Sequence, residues 1–393
     1  MQSKKKPLLP GAIRANAFSH DKYFFLFGLF CCHVSYSQNT FQKTFHGTST
    51  SAASDAKGFS VQQTPDSGYV IVGYTNSFGA GKEDVYLIKT NMNGDTLWTK
   101  TYGGPDSDYG YALWQTADSG YIITGLTFSF GAGGRDVFLI RTNSMGDTLW
   151  TKTYGGTGQD VGYDVQQTSD GGYLIAGYTS SFGAGNDDVY LIKTNSAGDT
   201  LWTRTFGGTS FDQGYFAQET YTGEYIVTGY TNSFGTGLDD FYLLKTKSNG
   251  DLIWSKTFGG AGYDDPFFLQ QTTDSGYIIT GFTGSFGAGG DDFYLVKTDS
   301  GGNLQWSKTI GGTNYDDAYC VKQTKDGGYI IAGSTQISSS NEDVYVVKTD
   351  LAGNVQWSEL FGGTNLDFGY SVDQTAGGGY IITGSSQSFG PWG

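Results

Sequence analysis

The chain has 393 residues, with 38 acidic against 23 basic side chains and a formal net charge of −15. So acidic a surface excludes nucleic acid and anionic membranes as favoured partners. Of three histidines and three cysteines only His46 and Cys320 lie beyond residue 37, which nearly excludes a Ser-His-Asp triad and excludes a multi-histidine metal site or a disulfide framework in the domain that follows.

In chain order, residues 1–37 read as a secretory signal. Lys4, Lys5, Lys6, Arg14 and Lys22 precede an apolar run at 23–32, followed by the small-residue end Ser35-Tyr36-Ser37. The apolar run is too short to span a membrane. Removal at Gln38 leaves 18 basic and 37 acidic residues, a net charge of −19, with His46 and Cys320 as the last histidine and cysteine. No intrachain disulfide is then available, and Cys320, on an apolar strand, reads as an inert buried thiol. The expectation is a secreted or outer-surface protein, self-repelling and monomeric, with no transmembrane segment in the mature chain.

Residues 38–393 read as one all-β domain built from a repeat. Trp98, Trp150, Trp202, Trp254, Trp306 and Trp357 recur every 52 residues, with 51 at the last step. Within one copy, 163–168, 173–179, 188–194 and 200–205 are short runs rich in β-branched and aromatic residues. Turn clusters such as Ser169-Asp170-Gly171-Gly172 and Ala197-Gly198-Asp199 separate them. This is the pattern of four antiparallel strands joined by hairpins, without a helical period. A four-stranded sheet buried on both faces is a propeller blade, with strands a to d running outward from the axis.

Counting motifs predicts seven blades. The b-strand tyrosine occurs at 69, 121, 173, 225, 277, 329 and 380, and the a-strand also has seven copies. The c-strand has six, beginning at Asp84, Asp136, Asp188, Asp240, Asp292 and Asp343. The d-strand has six tryptophan copies and a degenerate one at 41–45. The expectation is therefore a seven-bladed propeller whose last blade is closed by the N-terminal strand at 41–45, hiding an exposed sheet edge. No seventh c-strand follows Phe389, so either that blade has three strands or the sequence is a piece of a longer protein.

The d–a and b–c loops fall on one face and carry the richer chemistry. Asp108, Asp160, Asp212, Asp264, Asp316 and Asp367 lie in the d–a loops; Phe78, Phe130, Phe182, Phe234, Phe286 and Phe389 lie in the b–c loops. A residue present in every blade usually serves the blade, by capping backbone amides or packing inward. Binding residues are sought where the copies differ. Trp114 replaces Gln or Lys, Glu219 replaces the Gln of the other copies, and Phe216 and Phe268 stand where other copies have Ser60, Ala112, Asp164, Cys320 and Ser371. Trp114, Phe216, Glu219, Phe268, Asp160, Asp212 and Asp264 are the candidate ligand-binding residues. No catalytic constellation, metal site or cofactor motif is expected.

The strings Gly-Tyr-Thr-x-Ser-Phe-Gly-Ala-Gly, Asp-Val-Tyr-Leu-Ile-Lys-Thr and Gly-Asp-x-Leu-Trp-x-Lys-Thr-Tyr-Gly-Gly resemble the SBBP-like propeller repeats of secreted bacterial and archaeal proteins, and Ser37-Gln38 is similar in style to Bacteroidetes exports. The resemblance covers about residues 39–390 and implies surface location with a binding or scaffold role. The leading expectation is a non-catalytic binding module for a glycan or a surface protein on the long-loop face. The alternatives are a polysaccharide lyase or glycoside hydrolase using carboxylates at the channel mouth, and a purely structural spacer.

Overall fold

The computed structural model describes residues 41–45 and 56–389. The signal reading at 1–37 and His46 lie outside the described residues. Six sheets of four antiparallel strands follow one another along the chain. They are β1 (Ala56–Gln63), β2 (Tyr69–Thr75), β3 (Asp84–Thr90) and β4 (Thr96–Tyr102); then β5 (Asp108–Gln115), β6 (Tyr121–Thr127), β7 (Asp136–Thr142) and β8 (Thr148–Tyr154). The third blade is β9 (Asp160–Gln167), β10 (Tyr173–Thr179), β11 (Asp188–Thr194) and β12 (Thr200–Phe206); the fourth is β13 (Asp212–Glu219), β14 (Tyr225–Thr231), β15 (Asp240–Thr246) and β16 (Leu252–Phe258). The fifth is β17 (Asp264–Gln271), β18 (Tyr277–Thr283), β19 (Asp292–Thr298) and β20 (Leu304–Ile310); the sixth is β21 (Asp316–Gln323), β22 (Tyr329–Ser338), β23 (Asn341–Thr349) and β24 (Val355–Phe361). A two-stranded hairpin, β25 (Asp367–Gln374) and β26 (Tyr380–Ser386), completes the order.

The propeller therefore has six blades, not seven. Motif counting over-counted because an a–b pair by itself makes a hairpin, and a blade needs its c- and d-strands as well. The hairpin sits between the sixth blade and the first, with β26 against β1. Residues 41–45 form no strand and pair with none among the described residues, so they do not close a blade. They dock on the first blade instead: Phe41 packs on Tyr69 at 5.6 Å between ring centroids, and Lys43 Nζ meets Asp95 Oδ1 at 3.0 Å.

Blade-to-blade burial explains the strand sequences. On β11, Val189 and Leu191 enter the core shared with the fourth blade, whereas Tyr190 and Ile192 enter the core shared with the second. A strand covered on both faces has no reason to alternate apolar with polar residues. The tryptophans are half-buried wedges: Trp150 lies 6.0 Å from Tyr173 of the next blade, and a Cβ added at Gly198 would come within 2.8 Å of its ring. Gly198 also has φ +79°, so both its turn and its neighbour require glycine. The glycine in each b-strand answers a β-bulge in the a-strand: a Cβ at Gly177 would lie 1.7 Å from the Val161 carbonyl.

Each c-strand cation is held by an a–b turn carboxylate. Lys193, 2% exposed, places Nζ 2.8 Å from Asp170 Oδ2 and 2.9 Å from the Thr194 carbonyl. Lys89–Asp66, Arg141–Asp118, Lys245–Glu224, Lys297–Asp274 and Lys348–Asp326 repeat the pair. The turn aspartate thus does more than cap the turn. It neutralises a buried cation, which would otherwise be costly to hold.

Candidate functional site: the axial collar and the long-loop mouth

The innermost strands bring one aromatic residue each to the axis. Phe59, Tyr111, Tyr163, Tyr215, Phe267, Tyr319 and Tyr370 form a closed collar. Successive ring centroids are 5.0–5.5 Å apart, and the last pair, Tyr370 and Phe59, closes the circle at 5.4 Å. The ring planes are tilted or edge-on, the arrangement that the aromatic quadrupole favours. All seven are half-buried. The sequence carries the signal as an aromatic residue recurring with the repeat on the a-strand, but reading it as ordinary strand composition overlooked it.

The residues two positions earlier, nearer the long-loop face, are Lys57, Tyr109, Val161, Gln213, Asp265, Asp317 and Phe368. Burial pushes the Asp265 carboxyl up to about 7, and Asp239, Asp264, Asp291 and Asp317 add to the rise. Burial likewise raises Asp317 to about 7, reinforced by Asp291 and Glu342 and opposed by the Tyr319 hydroxyl, which donates to Asp317 Oδ2 at 3.3 Å. Asp265 Oδ1 and Asp317 Oδ1 have no hydrogen-bond partner. On the far side of the ring Arg135 donates to the Tyr178 hydroxyl. The mouth is therefore acidic over blades four to six. Among the described residues no group of three or more His, Cys, Asp or Glu converges to hold a metal ion.

The candidates singled out in the sequence do not form one site. Phe216 and Phe268 pack with tilted rings, centroids 4.1 Å apart, on the short-turn side of the collar, with Lys322 Nζ 4.5 Å from the Phe268 ring centre. Asp164 is buried beside them; it accepts the Ala217 amide at 3.2 Å, and burial pushes its carboxyl up to about 7. Trp114 lies nearer still to the short turns, at the position where Gln218 and Gln270 accept the amides of Gln271 and Gln323 in the following blades. Glu219 accepts from the Ser169 amide and hydroxyl, both at 2.7 Å. Gln271 and Gln323 make the same reach to Tyr221 and Thr273, so Glu219 keeps the contact of the residue it replaces.

Asp160, Asp212 and Asp264 are fully buried loop locks. Asp160 Oδ2 accepts the Gly156 amide at 2.9 Å and the Ser181 hydroxyl at 2.6 Å; Asp212 and Asp264 hold Gly208 with Ser233, and Gly260 with Ser285. Asp188 holds the other end of the same b–c loop through the Ala184 and Gly185 amides. Fixed at both ends, the loop presents Phe182 to solvent at 48% exposure, its back against Tyr190. Phe78, Phe130, Phe234 and Phe286 stand the same way, while the β22–β23 hairpin replaces that loop in the sixth blade. Tyr263 and Tyr315 of the d–a loops add to this exposed aromatic crown. An inward-packed loop phenylalanine was the expectation; the tight glycine turn leaves only one ring face covered. Cys320 is buried, and burial raises its thiol pKa, consistent with an inert role.

No known family profile matches the chain, so the resemblance to SBBP-like repeats has no family match behind it. The regulatory protein FlaEY of Caulobacter vibrioides is 25% identical over 42% of this chain, and the match spans 21% of that protein's length. Among solved structures, Sqt1 from Chaetomium thermophilum aligns over 82% of this chain and 75% of its own, at 12% identity and a TM-score of 0.47. PorZ of Porphyromonas gingivalis, described as a surface component of the type-IX secretion system, aligns over 83% and 46% at 10% identity and a TM-score of 0.45. A DUF4221 member from Bacteroides vulgatus aligns over 66% and 88% at 11% identity and a TM-score of 0.37. The architecture given above rests on the sheet topology of this chain itself.

Proposed function

We propose that this propeller is an exported binding module that engages a glycan or protein partner through its long-loop face. The observation that carries the reading is the crown of exposed aromatic rings, held on doubly locked loops around an acidic mouth. Large exposed apolar groups gathered on one face support an interaction site there. Rings such as Phe182 and Phe234 offer stacking faces, and the carboxyls of Asp265 and Asp317 offer both donors and acceptors near neutral pH. The basic leader and apolar run at 1–37 support export, with residues 38–393 as the mature domain. No helix among the described residues is long and apolar enough to cross a membrane. The net charge supports a monomer.

The test is binding of residues 38–393 to immobilised polysaccharides and to cell-surface protein fractions, alongside the Phe182→Ala/Phe234→Ala variant. Saturable binding that the double variant loses supports the reading. Undiminished binding by that variant, or no binding to either panel, refutes it. One observation favours a second reading: Asp265 and Asp317, two inner-strand carboxyls at the long-loop mouth, are both raised by burial toward neutrality, where a carboxyl can serve as a general acid or base. Turnover of a polysaccharide, abolished by Asp265→Asn or Asp317→Asn, would establish an enzyme instead.

A further inference from the structure

The residue just ahead of each c-strand belongs to a charged ring on the long-loop face. Five of its six copies are acids: Glu83, Asp187, Asp239, Asp291 and Glu342. The second blade has Arg135 instead. The position at the other end of the same loop changes with it. Where other blades carry Asn76, Ser180, Asn232, Gly284 and Gln336, the second carries Phe128, 46% exposed. The two positions are side by side: in the fourth blade Asn232 Nδ2 donates to Asp239 Oδ1 at 2.8 Å. One blade has thus exchanged a polar pair for an aromatic ring and a cation.

The acids of the ring are tied inside the fold. Glu83 accepts from the Ser107 hydroxyl, Asp187 from the Gln213 amide and Glu342 from the Ser334 hydroxyl, at 2.5–2.7 Å. Arg135 has no such tie to an acid. Among the described residues it forms no ion pair; its guanidinium donates to the Tyr178 hydroxyl and lies 5.7 Å from that ring's centre, and its Nε is buried without a partner. Its backbone is fixed, because the Arg135 carbonyl accepts the Asp160 amide at 2.8 Å. Burial pushes the Tyr111 hydroxyl up to about 12 against the Arg135 charge, which places the guanidinium close to the collar. A guanidinium held partly out of water without an acid suits a planar carboxylate, which it engages through parallel N–H···O bonds.

We infer that the second blade is a subsite for a sugar carboxylate: a uronic acid residue of an otherwise neutral glycan pairs with Arg135 and lays its apolar ring face on Phe128. The inference rests on the long-loop face being the binding face, and adds which glycans it takes. Five acids around one arginine, on a chain of net charge −15, repel a polyanion, so the carboxylate is an isolated one. The same acids accept hydrogen bonds from hydroxyl groups, which a sugar offers in number and an acidic peptide does not. The unpaired cation arises from an exchange inside the repeat. Of residues 38–393, those outside the described set contain one carboxylate side chain, Asp55.

The experiment uses residues 38–393 and two sugars, cellotetraose and its counterpart with a terminal glucuronic acid, titrated by calorimetry. The uronate sugar should bind saturably and about tenfold more tightly than the neutral one. Arg135→Gln should bring the two within about twofold of each other, and Arg135→Lys should restore only part of the difference, because an ammonium lacks the planar fork. Lys82→Gln, which removes an equal charge from an exposed position of the first b–c loop, should keep the preference. No binding of the uronate sugar, equal affinity for the two sugars, or a preference that survives Arg135→Gln overturns the inference. So does Arg135-dependent binding of an acidic peptide in place of the uronate. Tighter uronate binding by Asp55→Asn overturns it too, since this chain's own carboxylate would then occupy Arg135. Panel binding that Phe182→Ala/Phe234→Ala loses, without a uronate preference, refutes the subsite alone; no binding to any glycan or surface protein refutes the broader reading with it.

Discussion

Tyr370 and Phe59 lie with ring centroids 5.4 Å apart, although they stand near opposite ends of the described chain. Beside them Gln63 Oε1 accepts the Ala376 amide at 3.2 Å. These contacts join the terminal hairpin to the first blade, where no fourth strand does so. Truncating a half-buried aromatic of this kind costs about 3 kcal/mol, at the low end for a core ring. Phe59→Ala and Tyr163→Ala should lower stability by similar amounts in urea. They should differ in where the chain opens. Phe59→Ala should release amide protection in β25 and β26 first, and Tyr163→Ala should not. Equal local protection in the two variants would show that the collar does not fasten the seam.

The cation pairs predict an asymmetry. Lys193 is 2% exposed and Asp170 is 56% exposed on its side chain. Removing Asp170 strands a buried charge, which costs about 3–5 kcal/mol; removing the lysine leaves a carboxylate that water solvates. Asp170→Ala should therefore destabilise more than Lys193→Met, and the double variant should recover most of the loss. Chemical denaturation of the three proteins measures this directly. The reverse order would mean that the contact of Lys193 with the Thr194 carbonyl dominates.

The same pairs set an acid limit. Burial raises the Asp66 pKa, but hydrogen bonds from Thr64, Lys89 and Gly68 outweigh it and bring the group to about 2. A depressed carboxyl stabilises the fold above its unfolded pKa near 3.8, and that stability is lost as pH falls toward 2. Burial also acts to raise Asp170, Asp274 and Asp326, but hydrogen bonds from the neighbouring threonine, the paired lysine and a turn amide outweigh it and lower them; Asp118 is lowered chiefly by the Thr116 hydroxyl. Stability measured from pH 5 to pH 2 should fall more steeply for the native protein than for Asp66→Asn.

What the sequence revealed divides along a physical line. Periodicity located the strands: 173–179 and 188–194 match β10 and β11 residue for residue, because turns with strong chemistry bound them. The a-strand began three residues earlier than expected, since the bulge at Gly162 breaks the apolar pattern there. Blade number was misread because motif counts register strands, whereas a blade depends on pairing across 20 to 50 residues. The lysine–aspartate pairs and the collar escaped notice for the same reason. Lys193 and Asp170 stand 23 residues apart, and the collar rings 52 or 51, so only the closed fold makes them neighbours. Trp114, Phe216 and Phe268 stood out as departures from the repeat, but departure alone does not say which side of the collar a residue occupies.

Paired carboxylates between blades give a fourth test. A Cβ at Gly207 would lie 2.3 Å from Asp188 Oδ1 and 2.7 Å from Asp212 Oδ2, so two buried acids approach each other there. Burial raises the Asp188 pKa, and Asp212 adds to the rise against the Ala184 and Gly185 amides. Asp188→Asn keeps an oxygen for those amides and turns an N–H toward Asp212, a gain of about 1 kcal/mol. Asp188→Ala removes the acceptor and should cost about 1–3 kcal/mol. A raised carboxyl costs stability as pH rises from its unfolded value near 3.8 through its folded pKa, so the advantage of Asp188→Asn should shrink as pH falls. An advantage that grows in acid would contradict the buried-repulsion account.

The mouth offers the most direct electrostatic test, because one residue bears on both raised acids. Asp291 contributes to the upward shift of Asp265 and of Asp317. Removing its charge with Asp291→Asn should lower both from about 7, the larger share of each shift, due to burial, remaining. Carboxyl carbon NMR across pH 4–9 reads the two groups separately. Because these acids bind protons more tightly in the folded state, stability should decline as pH rises from 4 to 7 and level off above, and the variant should show a shallower decline. Phe286→Ala, on the outer crown, should leave both titrations unchanged while weakening partner binding. If Asp291→Asn moves neither acid, burial and the other carboxylates around each set them, and Asp291 does not couple the two into one charged site. If it moves both, a ligand that neutralises Asp291 will also change the protonation of Asp265 and Asp317, and its binding will release or take up protons with pH.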